Sequence, residues 1–142
     1  MINFIDDHSR FIVYSKVLDD WPTMEDALQG VEKILHIHGT PVQVLTDNGS
    51  QFVNNNGIEK TEFTLLCEQN GIHHLTTSKK RPSTIGKLEN FHGRYDDEAW
   101  RFKTHGKYIR HWNYNRPHGA LKYLYPYEVF VKDRRVSTTI SG

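Results

Sequence analysis

Val42-Gln43-Val44-Leu45-Thr46-Asp47-Asn48-Gly49-Ser50-Gln51-Phe52 is the stretch on which the reading of this chain turns. Val42 to Thr46 is rich in β-branched and aliphatic residues, the composition of a short buried strand. Asp47-Asn48-Gly49-Ser50 then supplies residue types that turn tightly and tolerate unusual backbone angles. Asp47 therefore stands just past the end of an aliphatic strand, where α/β folds tend to place their ligands. Taken alone, an Asp in an Asp-Asn-Gly turn is an ordinary turn residue, so its surroundings must decide.

Upstream, Asn3-Phe4-Ile5 opens an extended run that breaks at Asp6-Asp7-His8-Ser9. Phe11 to Val17 resumes β-rich composition, and the two together predict a hairpin. Thr23 is an expected helix N-cap, with Asp26 three residues on where a capping box ordinarily has Glu or Gln. Ala27, Leu28, Val31, Ile34 and Leu35 recur at helical spacing until Gly39-Thr40-Pro41 stops the helix. Downstream, a helix is expected over about 60–68 with Phe63, Leu66 and Cys67 inward, ending at Asn70-Gly71. Ile72 to Leu75 reads as a strand and Thr76 to Gly86 as a loop. A helix from about Lys87 carries Leu88, Phe91, Tyr95 and Trp100, and another covers Lys107 to Tyr114. The order hairpin, α, β, α, β, α predicts an α/β fold with one mixed sheet.

The 142 residues suit one domain. Mean hydropathy is −0.66, yet 7 Phe, 7 Tyr and 3 Trp are too many for a disordered chain. No apolar run approaches the roughly 20 residues of a membrane span, and no basic-then-apolar N-terminus marks secretion. No membrane partner and a cytoplasmic setting are the expectation. The single Cys67 excludes an internal disulfide framework, and its apolar helix face makes it a core residue. Net charge is +1, but the distribution is uneven: four Lys/Arg precede Lys79 and fourteen lie from Lys79 onward. A basic second half is compatible with nucleic acid and equally with a solvated face. His36, His38, His73 and His74 lack the spacing of a zinc site, so turn and strand-end roles are expected.

A second carboxylate draws notice. Glu89 lies near the start of a predicted helix, beside Leu88 and Phe91, which should be buried. A first-turn Glu is favoured by the helix dipole whatever its function. One carboxylate off a strand end and another on a helix start can, however, share a hard divalent cation such as Mg²⁺. His92 follows one turn on.

Four segments, in order, carry a resemblance: Phe4 to Phe11, Leu45 to Phe52, Pro82 to Glu89, and Tyr114-Asn-Arg-Pro-His-Gly-Ala-Leu121 with Pro126. Together they resemble the catalytic core of DDE transposases and retroviral-type integrases, most of all insertion-sequence transposases, over about residues 2–130. The resemblance implies a ribonuclease-H-like mixed sheet flanked by helices, with residues 1–105 as the integrase-type core and 106–142 as a C-terminal transposase tail. It also implies Mg²⁺- (or Mn²⁺-) dependent polynucleotidyl transfer, that is, DNA end cleavage and strand transfer. Asp47 and Glu89 would be the catalytic metal ligands. Asn48, Gly49 and Phe52 would shape the site. Lys79, Lys80, Arg81, Lys87 and Arg116 would contact DNA phosphates. The implied partners are transposon-end and target DNA, with a homo-oligomer or a full-length transposase, in a prokaryotic, nucleoid-associated setting.

The chain departs from that pattern in three places. The interval from Asp47 to Glu89 holds 41 residues, longer than is usual, and Asn54 to Gly57 is the expected site of the extra length. Asn90 stands where Arg is common. The family's first catalytic Asp sits on a strand ahead of Phe4-Ile5, and Met1 leaves no room for it, so the family's first strand is expected to be missing. Asp6 and Asp7 are poor substitutes, since they belong to the hairpin turn. Three outcomes are expected for the gap: the hairpin closes onto the Asp47 strand, a partner supplies a strand, or the chain folds poorly. The rival to an active core is a non-catalytic DNA-binding or oligomerising remnant.

Overall fold

Every residue of β1 (Ile2–Asp6) is buried, and the side chains of this strand divide by period two between two separate apolar layers. Ile2 and Phe4 pack in one layer with Ala27, Val31, Ile34, Val44, Phe63 and Cys67. Ile5 packs in the other with Ile12, Phe91, Tyr108 and Trp112. In the computed structural model the described residues are 1–47, 49, 52, 59–76, 82–132 and 139–141, excepting the side chains of 82–85 and 139–141. β2 (Ile12–Lys16) pairs with β1 antiparallel, as the hairpin reading expects. The register slips between Phe4 and Ile5, a bulge that lets Val13 and Tyr14 both join the first layer.

α1 (Met24–His38) covers that layer together with α2 (Glu62–Gln69). The capping box is complete with an Asp in place of Glu or Gln. Thr23 Oγ1 accepts from the Asp26 amide at 3.3 Å, and the Asp26 carboxylate accepts from the Thr23 amide at 3.1 Å. Gly30 is required by contact: a Cβ there would meet the Phe4 ring at 2.7 Å. β3 (Gln43–Thr46) and β4 (His73–Thr76) pair parallel. α3 (Pro82–Glu98) and α4 (His105–Tyr114) form the opposite layer, and α5 (Pro126–Lys132) packs against α4. The result is a ribonuclease-H-like α/β fold, a mixed sheet with helices on both faces.

Two expectations change. Residues 82–86, read as loop, form the first turn and more of α3, which begins at Pro82; proline's fixed φ suits the first helical position. The gap beside β1 is closed by none of the three expected routes. β5 (Thr139–Ser141), from the end of the sequence, lies between β1 and β3 in the order β2-β1-β5-β3-β4. It runs antiparallel to β1 and parallel to β3. The extra length expected at Asn54 to Gly57 lies outside the described residues.

The elements of 106–142 are bound closely to the rest. Tyr108 and Trp112 are fully buried, and Trp112 Nε1 donates to the Arg10 carbonyl at 2.9 Å. Asn113 closes the free edge of β2: its Oδ1 accepts from the Ile12 amide at 2.8 Å and its Nδ2 donates to the Ile12 carbonyl at 3.0 Å. Asn113→Ala strands both backbone groups in a buried place. The expected loss is about 2–4 kcal/mol, read as a fall in the urea midpoint at unchanged m-value.

Candidate active site

Asp47 follows the last residue of β3 and is exposed. One of its carboxylate oxygens accepts from the Gly49 amide at 2.8 Å, and the Phe52 amide donates to the Gly49 carbonyl at 2.9 Å. Phe52 is buried against Phe4 and Phe63, so the turn after Asp47 is pinned to the core by a ring. Asn48 lies outside the described residues, as do Lys79, Lys80 and Arg81.

The strand end is braced from a second side. His74 on β4 bridges two hydroxyls at 2.8 Å each: Thr46 Oγ1, next to Asp47, and Thr64 Oγ1 on α2. Burial lowers the His74 pKa and favours the neutral ring that can accept at one nitrogen and donate at the other. Strand composition marks His74 only as a strand-end residue; its bridging role depends on α2 packing against β4.

Glu89 is exposed on α3, while Phe91 beneath it is fully buried. Two attachments flank Glu89 and fix α3 along β1. Lys87 Nζ lies 2.7 Å from Asp7 Oδ1 and donates to the Asp7 carbonyl at 2.8 Å. His92 Nε2 meets Asn3 Nδ2 at 2.9 Å. The registers Leu45↔Ser141 and Ile5↔Ser141 set Leu45 level with Ile5, so Asp47 is level with Asn3. Asp47 and the His92 attachment thus share one end of the sheet, with Glu89 one helical turn from that attachment.

The His92 bond is the last of a series. Tyr95 OH meets His105 Nδ1 at 2.9 Å, His105 Nε2 meets Ser15 Oγ at 2.8 Å, and Ser15 Oγ donates to Asn3 Oδ1. Ser15 has one proton and gives it to Asn3, so His105 must donate from Nε2 and accept the Tyr95 proton at Nδ1. Asn3, accepting at Oδ1, presents its amide protons to His92, whose Nε2 therefore accepts. With both rings neutral, every proton in the series points the same way. Burial lowers both histidine pKa values.

The remaining acids beside the hairpin have structural partners. Asp6 is buried, and its Oδ2 accepts from the Ser9 amide at 2.7 Å and from the Ser9 hydroxyl. Asp7 pairs with Lys87. Arg116, expected at DNA, forms a two-pronged pair with Glu98 at 2.9 and 3.1 Å and lies over the Trp112 ring. Trp100 and Tyr123 are exposed; Tyr114 packs on Phe11 and Tyr127. Cys67 is buried, which pushes its thiol up to about 11. Among the described residues no group of three His, Cys, Asp or Glu side chains could hold a metal ion. Asp47 and Glu89 nevertheless suit Mg²⁺, which keeps several waters and takes one or two carboxylates plus phosphate oxygens.

The integrase core domain family matches residues 1–82, more than half of the sequence and including Asp47. The chain belongs to the integrase core domain family. Glu89 falls beyond the matched residues. A putative integrase, ORF3, of Spiroplasma virus SpV1-C74 is 34% identical over 107 residues, covering 66% of this integrase-family chain and 28% of its own length. An uncharacterised Caenorhabditis elegans protein, K02A2.6, is 29% identical over 119 residues, 78% of this chain and 9% of its own. The chain thus spans less than a third of either relative. Its fold is similar to the catalytic core domain of BIV integrase, with TM-score 0.69 at 17% identity, over 92% of this chain and 84% of that one. It is similar also to a chain of a simian T-cell lymphotropic virus intasome solved with PP2A regulatory subunit B56 gamma. There the TM-score is 0.65 at 16% identity, over 89% of this chain and 46% of that one.

Neutral buried histidines make stability depend on pH. Burial, and next the charge of Arg116, pushes His118 from 6.5 down to about 4. His92 and His105 shift in the same direction. A base whose folded pKa is depressed keeps its full contribution above about 6.5 and loses it as pH falls toward the folded value. The urea midpoint should therefore be flat from pH 7 to 8 and fall between pH 6.5 and 4.5. His118 alone accounts for at most about 3 kcal/mol of that loss, so His118→Gln should flatten the slope.

Proposed function

We propose that this integrase-family core carries out polynucleotidyl transfer on DNA, cleaving or joining ends, with Asp47 and Glu89 as its metal-binding carboxylates. The observation that carries the reading is the placement of Asp47. It is an exposed carboxylate at the end of a parallel strand, on a turn pinned by Phe52, in a chain whose integrase-core match includes it. Glu89 supports it from α3, which Lys87 and His92 hold along β1 on either side. A bound Mg²⁺ or Mn²⁺ would neutralise phosphate charge and lower the pKa of an attacking water or 3′-hydroxyl.

The chain's own groups then have distinct tasks. Asp47 and Glu89 supply the hard oxygen donors. The Gly49 amide orients the Asp47 carboxylate, and Thr46, braced by His74, holds the strand end beneath it. Lys79, Lys80 and Arg81, immediately ahead of α3 in sequence, would contact DNA phosphates beside the site. DNA ends, target DNA and a multimer of integrase chains are the partners this reading calls for.

A second reading has one observation in its favour. β5 reads Thr-Ile-Ser, so the strand beside β3 brings no carboxylate, and the described residues offer no third acid. On that reading the chain binds DNA or oligomerises without chemistry. One experiment separates the two. On a labelled DNA end with Mg²⁺, the active-core reading expects strand transfer that Asp47→Asn and Glu89→Gln each reduce at least about 1000-fold, with DNA affinity within about twofold of the parent. DNA binding without transfer in the parent chain supports the second reading. Transfer that survives both substitutions overturns the site assignment.

A further inference from the structure

From Ala99 to Tyr127 the sequence holds no Asp or Glu, while it carries six Lys/Arg. Arg116 is committed to Glu98. Arg101, Lys103, Lys107 and Arg110 are exposed and make no ion pair among the described residues. Trp100 stands at the head of this stretch and is 75% exposed. Its ring is nevertheless held: Nε1 donates to the Asp97 carbonyl at 2.8 Å, and the Arg101 guanidinium lies 5.3 Å from the ring centre. We infer that this corner between α3 and α4, with the outer face of α4, is a docking surface for single-stranded DNA. Trp100 stacks on an unpaired base, and Lys103, Lys107 and Arg110 follow the phosphates. The inference takes DNA as the partner from the proposed function, but it needs neither Asp47 nor Glu89 to be catalytic.

The ties already described place the corner. α3 runs opposite to β1, with Lys87 at Asp7 and His92 at Asn3. Asn3 is level with Asp47, and α3 continues for six residues past His92, about 9 Å of helix. Residues 99–104 therefore turn at the end of the sheet that carries Asp47. α4 then returns along β2, with His105 at Ser15 and Asn113 at Ile12. Lys107, Arg110 and Tyr114 recur at three and four residues and share one face of α4, and Lys103 precedes its N-cap, Thr104. A groove of about 500 Å³ opens beside Arg110, lined by Gly106, Ile109, Asn113 and Tyr114, which gives a strand room to lie along the helix.

Charge and ring together select the occupant. Asp96 and Asp97 stand on the last turn of α3, so the phosphates are drawn to the α4 side of the corner. A fixed, open indole beside a line of cations is the combination that binds unpaired strands, since every base has a face to stack. A duplex keeps those faces covered by neighbouring pairs. An acidic peptide would answer the cations alone and leave the indole without a flat partner.

The chain has three tryptophans, of which Trp112 is buried and Trp21 is 87% exposed. In Trp21→Phe, Trp100 is thus the one indole open to a ligand. The probe is a thymidine oligonucleotide of about twelve residues, added without divalent metal. Its binding should quench Trp100 emission to a plateau. By anisotropy of a labelled strand, Trp100→Ala should weaken binding about tenfold and Trp100→Phe should recover most of the loss, with affinity for a blunt duplex changed less than about twofold. Lys107→Gln with Arg110→Gln should lower the slope of log K against log salt by about 1.4. Unquenched emission at saturation, single-strand affinity and salt slope unmoved by these substitutions, or an equal loss on the duplex would each overturn the inference and leave DNA as the partner. Binding of neither strand nor duplex by the parent chain would overturn the inference and the DNA reading together.

Discussion

The pairing of β5 with both β1 and β3 is the contact on which the rest of the architecture depends. It joins an antiparallel hairpin to a parallel pair, two units that share no backbone hydrogen bond in the described residues except through this strand. Buried backbone groups left without partners cost roughly 1–3 kcal/mol each, against a total stability of about 5–15 kcal/mol for a domain of this kind. The helices hold the joined sheet from both sides: α1 and α2 clamp one face through Phe4, Val31, Ile34 and Phe63, and α3 and α4 clamp the other through Phe91, Tyr108 and Trp112.

The candidate site inherits its geometry from that arrangement. Because β5 sets the registers of β1 and β3 against each other, Asp47 comes level with Asn3, and Asn3 is where α3 is tied by His92. Glu89 lies between this tie and the Lys87–Asp7 pair. A helix fixed at two points has little freedom to slide, which suits a carboxylate required at a defined place. The one-directional series from Tyr95 to His92 adds a condition. It holds only while His92 is neutral, since a protonated Nε2 would face the Asn3 amide protons. Acid would therefore loosen α3 at the end where Asp47 lies.

Local patterns in the sequence were sufficient for most elements and for the two carboxylates. The aliphatic run before Asp47, the 3.6-residue spacing of Ala27, Val31 and Ile34, and the turn residues between β1 and β2 each reflect interactions within a few positions, and each element formed as expected. The start of α3 is not legible locally because Ser83, Thr84 and Gly86 are weak helix formers, while the ties that hold the helix, Lys87 to Asp7 and His92 to Asn3, span 80 and 89 positions. The box closed by Asp26 differs only in using a shorter acid.

By itself, then, the order of residues determined an α/β domain of integrase type with Asp47 at a strand end and Glu89 on a helix, because those features arise from neighbours in the chain and from motifs spelled out in full. Only the tertiary structure decided which strand stands beside β1, that His74 braces Thr46, that Arg116 is committed to Glu98, and that Asn113 seals the edge of β2. Each of those is a pairing across 18 to 101 positions or a strand order, and a single sequence carries no local signal for either. Thr139-Ile140-Ser141 is the plainest case. Thr139 and Ile140 are β-prone, but so short a run announces nothing by itself, and its role comes from the strands on either side, which are built elsewhere.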